Sequence, residues 1–149
     1  MIRLATPFDT DTVTALVHAA YSKWLPVLGY PPMPMEADYA ALIDRQVVYV
    51  ADEGDQIVGV LVIWAIENAM LIENVAVHPQ AQKGGVGKLL LDFAEQKARE
   101  AGLPQIALYT NEKMVYNQDY YRKLGYVETR REVRGENRRI VWMYKVLPL

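Results

Sequence analysis

Residues Leu71 to Leu91, LIENVAVHPQAQKGGVGKLLL, form the stretch that decides how the rest of the chain is interpreted. The first half is rich in β-branched residues, and Pro79 ends it because proline has no N–H to donate to a sheet. We therefore predict a strand that stops near His78. The second half places glycines before an apolar face at helical spacing, which predicts a helix from about Gly85 to Glu100.

The glycines of this stretch lie where the helix begins, a position that can hold an anion. The first N–H groups of a helix lack intrahelical partners, and residues without Cβ let a phosphate approach them. Two common glycine motifs do not fit the sequence. A Walker loop requires glycine at the position of Gln82 and Ser or Thr at that of Leu89, and a dinucleotide fingerprint is broken at Leu90. Nucleoside triphosphates and NAD are therefore poor candidates for the ligand.

The pattern that does fit is Q-x-x-G-x-G, which directly follows the strand end V-A-V-H-P. In these residues the chain resembles the GNAT superfamily of N-acetyltransferases, in which this strand and loop bind acetyl-coenzyme A. The resemblance implies that the strand backbone pairs with the pantetheine arm and that the loop amides hold the pyrophosphate. The coenzyme-binding residues implied in this way are Val75, Ala76 and Val77 in the strand and Gln82, Lys83, Gly84, Gly85, Val86, Gly87 and Lys88 in the loop. A purely structural strand-to-helix turn is the alternative interpretation.

A second region of resemblance lies in the predicted helix that ends before Gly125. The family signature Y-x-x-x-G-[FY] is met by Tyr121, Gly125 and Tyr126. Many members carry asparagine seven residues before that tyrosine, where this chain has Met114. We favour Asn117 as the coenzyme-contacting residue because it lies one helical turn before Tyr121. Tyr121 is the candidate general acid, since a phenol can donate its proton to a departing thiolate.

Acetyl transfer to an amine requires a base, and Glu73 is the candidate. It lies two residues before Val75, where some GNAT members place a glutamate base, and a carboxylate can take the amine proton directly or through water. The alternative is a glutamate at a strand edge that faces water, because a buried charge without partners is costly. The N–H of Val75 is the candidate donor to the oxyanion.

The segment from Trp24 to Met35 is apolar and aromatic, and its four prolines predict a loop without regular structure. Such a loop has to be covered by the core, by a second copy of the chain or by an acceptor. In the GNAT fold the segment between the first two helices commonly shapes the acceptor site. Trp24 and Tyr30, together with Glu73, are therefore the candidate substrate-binding residues.

The remaining elements predict a single α/β domain that spans residues 1–149. We predict further strands at Ile2–Ala5, Val47–Ala51, Gln56–Ala65, Gln105–Tyr109, Val127–Arg134 and Arg138–Val146, and helices from Thr6 to about Trp24, at Asp38–Ile43 and at Met114–Leu124. Their order resembles the GNAT acyl-CoA N-acyltransferase fold, which implies a mixed, mostly antiparallel sheet of about seven strands with helices on both faces.

The last predicted hairpin, around Gly135-Glu136-Asn137, alternates arginines with glutamates. The residues are Arg130, Arg131, Arg134, Arg138 and Arg139 with Glu128, Glu132 and Glu136. This pattern favours a solvated ribbon of mixed charge over a basic cradle for an acidic acceptor or for the 3'-phosphate of the coenzyme. We expect one face of the hairpin to be apolar and partly buried, and this face carries Ile140, Trp142 and Tyr144.

Composition narrows the class of protein further. Sixteen Lys+Arg against 18 Asp+Glu give a net charge of -2, which argues against a nucleic-acid partner. The chain has no cysteine, which excludes a thiol nucleophile and agrees with a reducing cytoplasm. Its two histidines lack ligand spacing, so we expect no metal. Without a signal peptide or an apolar run of about 20 residues, we expect a cytoplasmic protein with no membrane contact.

These inferences predict an acetyl-CoA-dependent N-acetyltransferase that uses acetyl-CoA as co-substrate and no metal. The acetyl group would pass directly to a primary amine in a ternary complex, with no acyl-enzyme. A small amine, an amino acid, an aminoglycoside or a protein N-terminus all remain open as acceptors, and a homodimer is compatible with the apolar loop and the final hairpin. The alternatives are transfer of a longer acyl group, and a non-catalytic acyl-CoA-binding or sensing module that would need neither Tyr121 nor Glu73.

Overall fold

The computed structural model describes residues 1–135 and 138–148, and over these ranges the chain forms seven strands and six α-helices. The strands are β1 (Ile2–Leu4), β2 (Val48–Glu53), β3 (Gln56–Ile66), β4 (Ala69–Val77), β5 (Gln105–Asn111), β6 (Val127–Arg134) and β7 (Arg138–Val146). The helices are α1 (Thr10–Tyr21), α2 (Leu25–Leu28), α3 (Met33–Glu36), α4 (Tyr39–Asp44), α5 (Val86–Glu100) and α6 (Val115–Lys123).

The strands follow the order β1-β2-β3-β4-β5-β7-β6 in one sheet. Strands β1 and β2, β2 and β3, β5 and β7, and β6 and β7 pair antiparallel. Strands β4 and β5 pair parallel, with Met70 opposite Ile106 and Ile72 opposite Leu108. A parallel pair requires a long crossover, and α5 supplies it. The predicted fold class, an α/β fold with a mixed and mostly antiparallel sheet, is confirmed.

The chain divides into two compact units. The first unit contains Met1–Ile63 and Asn74–Phe93, and the second contains Trp64–Glu73 and the residues from Ala94 onward. Fully buried side chains in the first unit come from α1, β2, β3 and α5: they are Val13, Val17, Val48, Val50, Val60, Leu61, Val62 and Leu90. In α1 the two members of this set, Val13 and Val17, are four residues apart and therefore lie on the same face of the helix.

Gly59 of β3 allows α5 to pack closely in the first unit. A Cβ at this position would lie 2.9 Å from Leu90 Cδ1 and 2.9 Å from Val86 Cγ1, closer than side-chain carbons normally approach. The absence of a side chain at Gly59 therefore fixes how near the first turns of α5 come to the sheet.

One buried cluster of the second unit is rich in aromatic residues. Ala69, Leu71, Ala107, Ile140 and Trp142 are buried there, and Trp64, Ile66, Tyr109 and Tyr144 pack against them half-buried. The shared apolar face predicted for Ile140, Trp142 and Tyr144 is therefore confirmed. The turn predicted at Glu136 and Asn137 lies outside the described residues.

The segment from Trp24 to Met35 differs from its prediction. It contains α2 and the start of α3, so the expectation of no regular structure is wrong. Pro26 and Pro34 lie in the first turn of these helices, where the missing N–H has no intrahelical partner to lose. Among the helices that the structure describes, none has the length and apolar character needed to cross a bilayer.

Candidate active site

The glycine-rich loop joins β4 to α5 within the first unit. Gly85 has φ of +82°, in the left-handed region that favours glycine, and the space where its Cβ would lie is open to 4 Å. Gln82, Lys83, Gly84 and Gly85 are exposed. Leu89 N donates to Gly85 O at 3.1 Å where α5 begins. The first N–H groups of a helix in general lack intrahelical acceptors, and this is the arrangement that binds anions.

Side chains of the loop also hold the turn together. Gln82 Nε2 donates to Val77 O at 3.3 Å, which links the loop to the end of β4. His78 Nδ1 accepts from Gln80 N at 3.2 Å, in agreement with the expectation that this histidine ends the strand. Lys88 Nζ pairs with Asp92 Oδ1 at 2.6 Å along the exposed face of α5. Gln82 therefore has a structural contact of its own, whatever it contributes to a ligand.

An open cavity of about 1160 Å³ borders the loop in the first unit. Its lining includes Lys83 and Gly84 of the loop. It also includes the carboxylates Asp9, Asp11, Asp52, Glu53 and Asp55. Arg3, which also lines the cavity, pairs with Asp9 and Asp52. Among the described lining residues, the other carboxylates still outnumber the one further cation, Lys83, so the cavity is unfavourable for a phosphate and we do not assign the coenzyme to it.

A buried polar network lies beside the candidate pantetheine strand in the first unit. Asn74 is only 4% exposed, and its Nδ2 donates to Tyr39 Oη at 3.0 Å. Tyr39 Oη in turn donates to Pro34 O at 2.6 Å. Tyr21 Oη lies 2.7 Å from Asn74 Oδ1 and 3.2 Å from Val75 O. The network joins α1, α3 and α4 to β4 and was missed at the sequence level, where one asparagine in an apolar strand was its only signal.

Replacing Asn74 with alanine should lower the free energy of unfolding by about 2 kcal/mol, because buried partners lose a hydrogen bond that water cannot replace. Urea unfolding followed by circular dichroism measures the loss. Tyr21→Phe, which removes a single hydroxyl from the same network, is the matched control and should lower the free energy of unfolding by about 1 kcal/mol. Unchanged midpoints for Asn74→Ala would show that the network does not stabilise the fold.

Glu73 lies in the part of β4 that belongs to the second unit and is half-buried. Tyr109 Oη donates to Glu73 Oε1 at 2.6 Å. Burial raises the pKa of Glu73 above its usual range, and the smaller effects of this hydrogen bond and of the Arg134 guanidinium oppose the rise. Burial and then the hydrogen bond to Glu73 raise the pKa of Tyr109. Glu73 is thus a carboxylate that is positioned by a hydrogen bond and has increased basicity, and it is not fully surrounded by water.

Tyr121 lies in α6 in the second unit and is half-buried. Its ring makes edge contacts with the rings of Tyr120 and Tyr126, with 5.5 Å between centroids in each case. Burial and, to a smaller extent, the Tyr120 phenol raise the pKa of Tyr121. The phenol therefore keeps its proton at neutral pH, as a proton donor must. Within the described second unit, its hydroxyl makes no hydrogen bond.

The Y-x-x-x-G-Y signature also has a structural role at the end of α6. The carbonyl of Tyr121 accepts from the backbone N–H groups of Leu124 and Tyr126, each at 3.0 Å. Gly125 has φ of +99°, the left-handed conformation that ends a helix. The glycine of the signature is therefore required by the helix cap, independently of any ligand.

An acetyltransferase (GNAT) domain family matches residues 44–128, which is more than half of the chain and includes the glycine loop and Tyr121. The chain belongs to the GNAT acetyltransferase family. The uncharacterized N-acetyltransferase YvbK of Bacillus subtilis is 32% identical over 85 residues. That match covers 56% of this chain and 55% of YvbK, so it spans about half the length of the relative.

Two solved GNAT structures extend the comparison. The PaiA N-acetyltransferase of Thermoplasma acidophilum, in complex with coenzyme A, superposes with a TM-score of 0.78 at 18% identity over 99% of this chain and 98% of that one. A putative streptothricin acetyltransferase of Bacillus anthracis, in complex with acetyl coenzyme A, has a TM-score of 0.65 at 26% identity over 76% and 70% of the two chains. The GNAT fold predicted from the sequence is confirmed, and acyl-CoA-dependent N-acetylation is the chemistry of the family.

In this GNAT protein the other candidate residues lie in both units. Trp24 and Tyr30 are half-buried in the first unit, and the Lys23 ammonium lies 5.9 Å from the Trp24 ring. Asn117 is half-buried in α6, where its Nδ2 lies 3.6 Å from Met114 Sδ. Over residues 1–135 and 138–148, no group of three or more His, Cys, Asp or Glu side chains is placed to hold a metal ion.

Proposed function

We propose that the whole chain acts as one GNAT domain that transfers an acetyl group from acetyl-CoA to a primary amine by direct attack in a ternary complex. The observation that carries this proposal is the state of Glu73: a half-buried carboxylate, held by Tyr109, whose pKa is raised. A base of this kind is more basic than an ordinary glutamate. It is suited to deprotonating an ammonium group.

Each step of the transfer has a candidate residue. Glu73 takes a proton from the ammonium group of the acceptor, and the neutral nitrogen attacks the thioester carbon. The N–H of Val75 donates to the oxyanion as the tetrahedral intermediate forms. When the C–S bond breaks, Tyr121 gives its phenolic proton to the departing thiolate of coenzyme A. The nitrogen then loses its second proton and the phenolate regains one by exchange with solvent water, and Glu73 releases to solvent the proton that it took from the ammonium group. The products are an N-acetyl amide and free coenzyme A, and the acetyl group never becomes attached to the enzyme.

Coenzyme binding is proposed for the strand and loop of the first unit, with Asn117 as a further contact. The backbone of Val75, Ala76 and Val77 would pair with the pantetheine arm. The N–H groups at the start of α5 would hold the pyrophosphate, for which the open space beside Gly85 leaves room. Trp24 and Tyr30 are proposed to line the acceptor site.

Calorimetric titration with acetyl-CoA tests this assignment. We expect saturable binding that is tighter than that of adenosine diphosphate, because the pantetheine contacts add to those of the pyrophosphate. A longer acyl-CoA in the same experiment reports the acyl preference. No binding of acetyl-CoA would refute the proposal, whereas binding without amine-dependent release of coenzyme A would favour a sensing module over an enzyme.

Replacing Gly85 with aspartate should weaken acetyl-CoA binding by about 100-fold, because a carboxylate would face the pyrophosphate at short range. Gly85→Asn is the matched control. Asparagine has the same shape and tolerates the left-handed backbone equally well, so it isolates the charge from the strain. The expected affinity order is wild type, then Gly85→Asn, then Gly85→Asp. Equal affinities for the two variants would mean that no phosphate lies beside this residue.

A further inference from the structure

We propose that Arg134 forms an anion-binding subsite beside Glu73, and that the acceptor is therefore an amine that also carries a carboxylate. This inference rests on the proposed function and narrows its substrate to zwitterionic amino compounds. The residues that carry it all lie in the second unit, on β4, β5, β6 and β7.

Arg134 is held against an aromatic platform. Its guanidinium carbon lies 4.5 Å from the centroid of the Tyr109 ring and 5.7 Å from that of the Trp142 ring. The two rings contact each other with 5.1 Å between centroids, and Trp142 is only 6% exposed. Stacking on aromatic faces restricts the orientation of a guanidinium. The position of Arg134 is thus set by the core of the second unit.

Most hydrogen-bond donors of Arg134 remain available for a ligand. A guanidinium has five N–H donors. Within the described chain, Arg134 has one ion pair, in which Nη2 lies 3.4 Å from Glu132 Oε1, and its guanidinium also interacts with the Tyr109 hydroxyl. That distance is near the outer limit of a hydrogen bond, and the same oxygen accepts a much shorter bond, 2.6 Å, from Trp142 Nε1. The Arg134 side chain is 37% exposed, so a solute carboxylate can reach it.

A second guanidinium lies beside the subsite. Arg130 lies 4.8 Å from the Trp142 centroid and 3.7 Å from the same Glu132 oxygen. Two guanidinium groups therefore share one carboxylate on this side of the platform. A planar carboxylate from a ligand would match the fork of either arginine through two parallel hydrogen bonds.

Tyr109 places the subsite next to the candidate base. Its hydroxyl donates to Glu73, and its ring supports the Arg134 guanidinium. Arg134 is close enough to Glu73 to act on its charge. A negative and a positive group thus flank one tyrosine, which complements a ligand with an ammonium for Glu73 and a carboxylate for Arg134. A polyamine, by contrast, would bring a second positive charge against Arg134 and be disfavoured.

Arg131 shows that this arrangement is not general along β6. It pairs with Glu112 at 2.8 Å and with Glu128 at 3.0 Å, which is the solvated, mixed-charge ribbon expected from the sequence. The expectation included Arg134 and is met there only in part, because its guanidinium pairs with Glu132 but also stacks on aromatic rings. Arg131→Gln therefore removes the same charge from the same strand without touching the platform and serves as the matched control.

The test uses pairs of amines that differ only in a carboxylate: L-phenylalanine with phenethylamine, and β-alanine with ethylamine. Each is titrated calorimetrically into the coenzyme A complex of the wild type, Arg134→Gln, Arg134→Lys and Arg131→Gln. In the wild type, the carboxylate-bearing member of a pair should bind about 10- to 100-fold more tightly. Arg134→Gln should abolish the difference, Arg134→Lys should restore part of it, and Arg131→Gln should retain it.

The inference is overturned if no pair shows a carboxylate-dependent difference in the wild type, whether both members bind alike or neither binds. It is also overturned if Arg131→Gln reduces the difference as much as Arg134→Gln does. Acetyl-CoA titration of the same samples reports the proposed function separately. If acetyl-CoA binds normally and both members of a pair are acetylated at equal rates, the proposed subsite is refuted and the proposed acetyltransferase activity is supported.

Discussion

Glu73→Gln is expected to lower kcat by about 10²- to 10⁴-fold at neutral pH, because an amide cannot take a proton from the acceptor. Steady-state release of coenzyme A, followed over a range of pH, measures the effect. The wild type should lose activity on the acid side as Glu73 becomes protonated, and burial places this loss above the usual pKa of a glutamate. The residual activity of Glu73→Gln should instead rise with pH, since only amine that is already deprotonated can react.

The same substitution should leave the fold intact. Since burial raises the pKa of Glu73, the folded state binds the proton more tightly than the unfolded state. The stability of the wild type therefore falls as the pH rises from the unfolded pKa through the folded one, and glutamine abolishes this decline. At neutral pH we expect the free energy of unfolding of Glu73→Gln to equal or exceed that of the wild type.

Glu112→Gln is the control for this prediction. Glu112 pairs with Arg131 on the exposed side of the second unit, so its replacement removes a carboxylate without changing the candidate base. Its kcat and pH profile should match those of the wild type. A Glu73→Gln enzyme with wild-type kcat and an unshifted pH profile would mean that another group, or none, acts as the base.

Features encoded by neighbouring residues could be predicted from the sequence. The end of β4 and the start of α5 follow from Pro79 and the glycines, and the helix begins at Val86, one residue after its predicted position. The bounds of β6 and β7 match their predictions because alternating side chains define both strands. Turn, cap and periodicity signals act over a few residues, and the sequence displays them directly.

Partners that are distant in the chain could not be predicted in this way. The motif led to Glu73, but Tyr109, which holds it, is 36 residues away. The contacts of Asn74 with Tyr39 and of Arg134 with Tyr109 likewise depend on how strands and helices pack. The prediction that residues 24–35 lack regular structure was wrong for a different reason. Proline disrupts the interior of a helix but is accepted in its first turn.

Tyr121→Phe is expected to lower kcat by about 100-fold or more while the Kd for acetyl-CoA changes by less than about twofold. The hydroxyl would act only when the thiolate departs, so its loss removes stabilisation of the transition state and not of the bound coenzyme. Phenylalanine keeps the ring contacts with Tyr120 and Tyr126, and the backbone bonds of the helix cap do not involve the side chain. Single-turnover kinetics and calorimetry measure the two quantities separately.

Tyr116→Phe provides the comparison for this prediction, because it lies in the same helix but is 72% exposed, and its kcat should remain that of the wild type. The raised pKa of Tyr121 adds a second criterion: its phenol should stay protonated through neutral pH, so the wild-type rate should not fall on the basic side below about pH 10. If Tyr121→Phe retained full activity, ring packing and the glycine cap alone would account for the Y-x-x-x-G-Y signature. The departing thiolate would then take its proton from water.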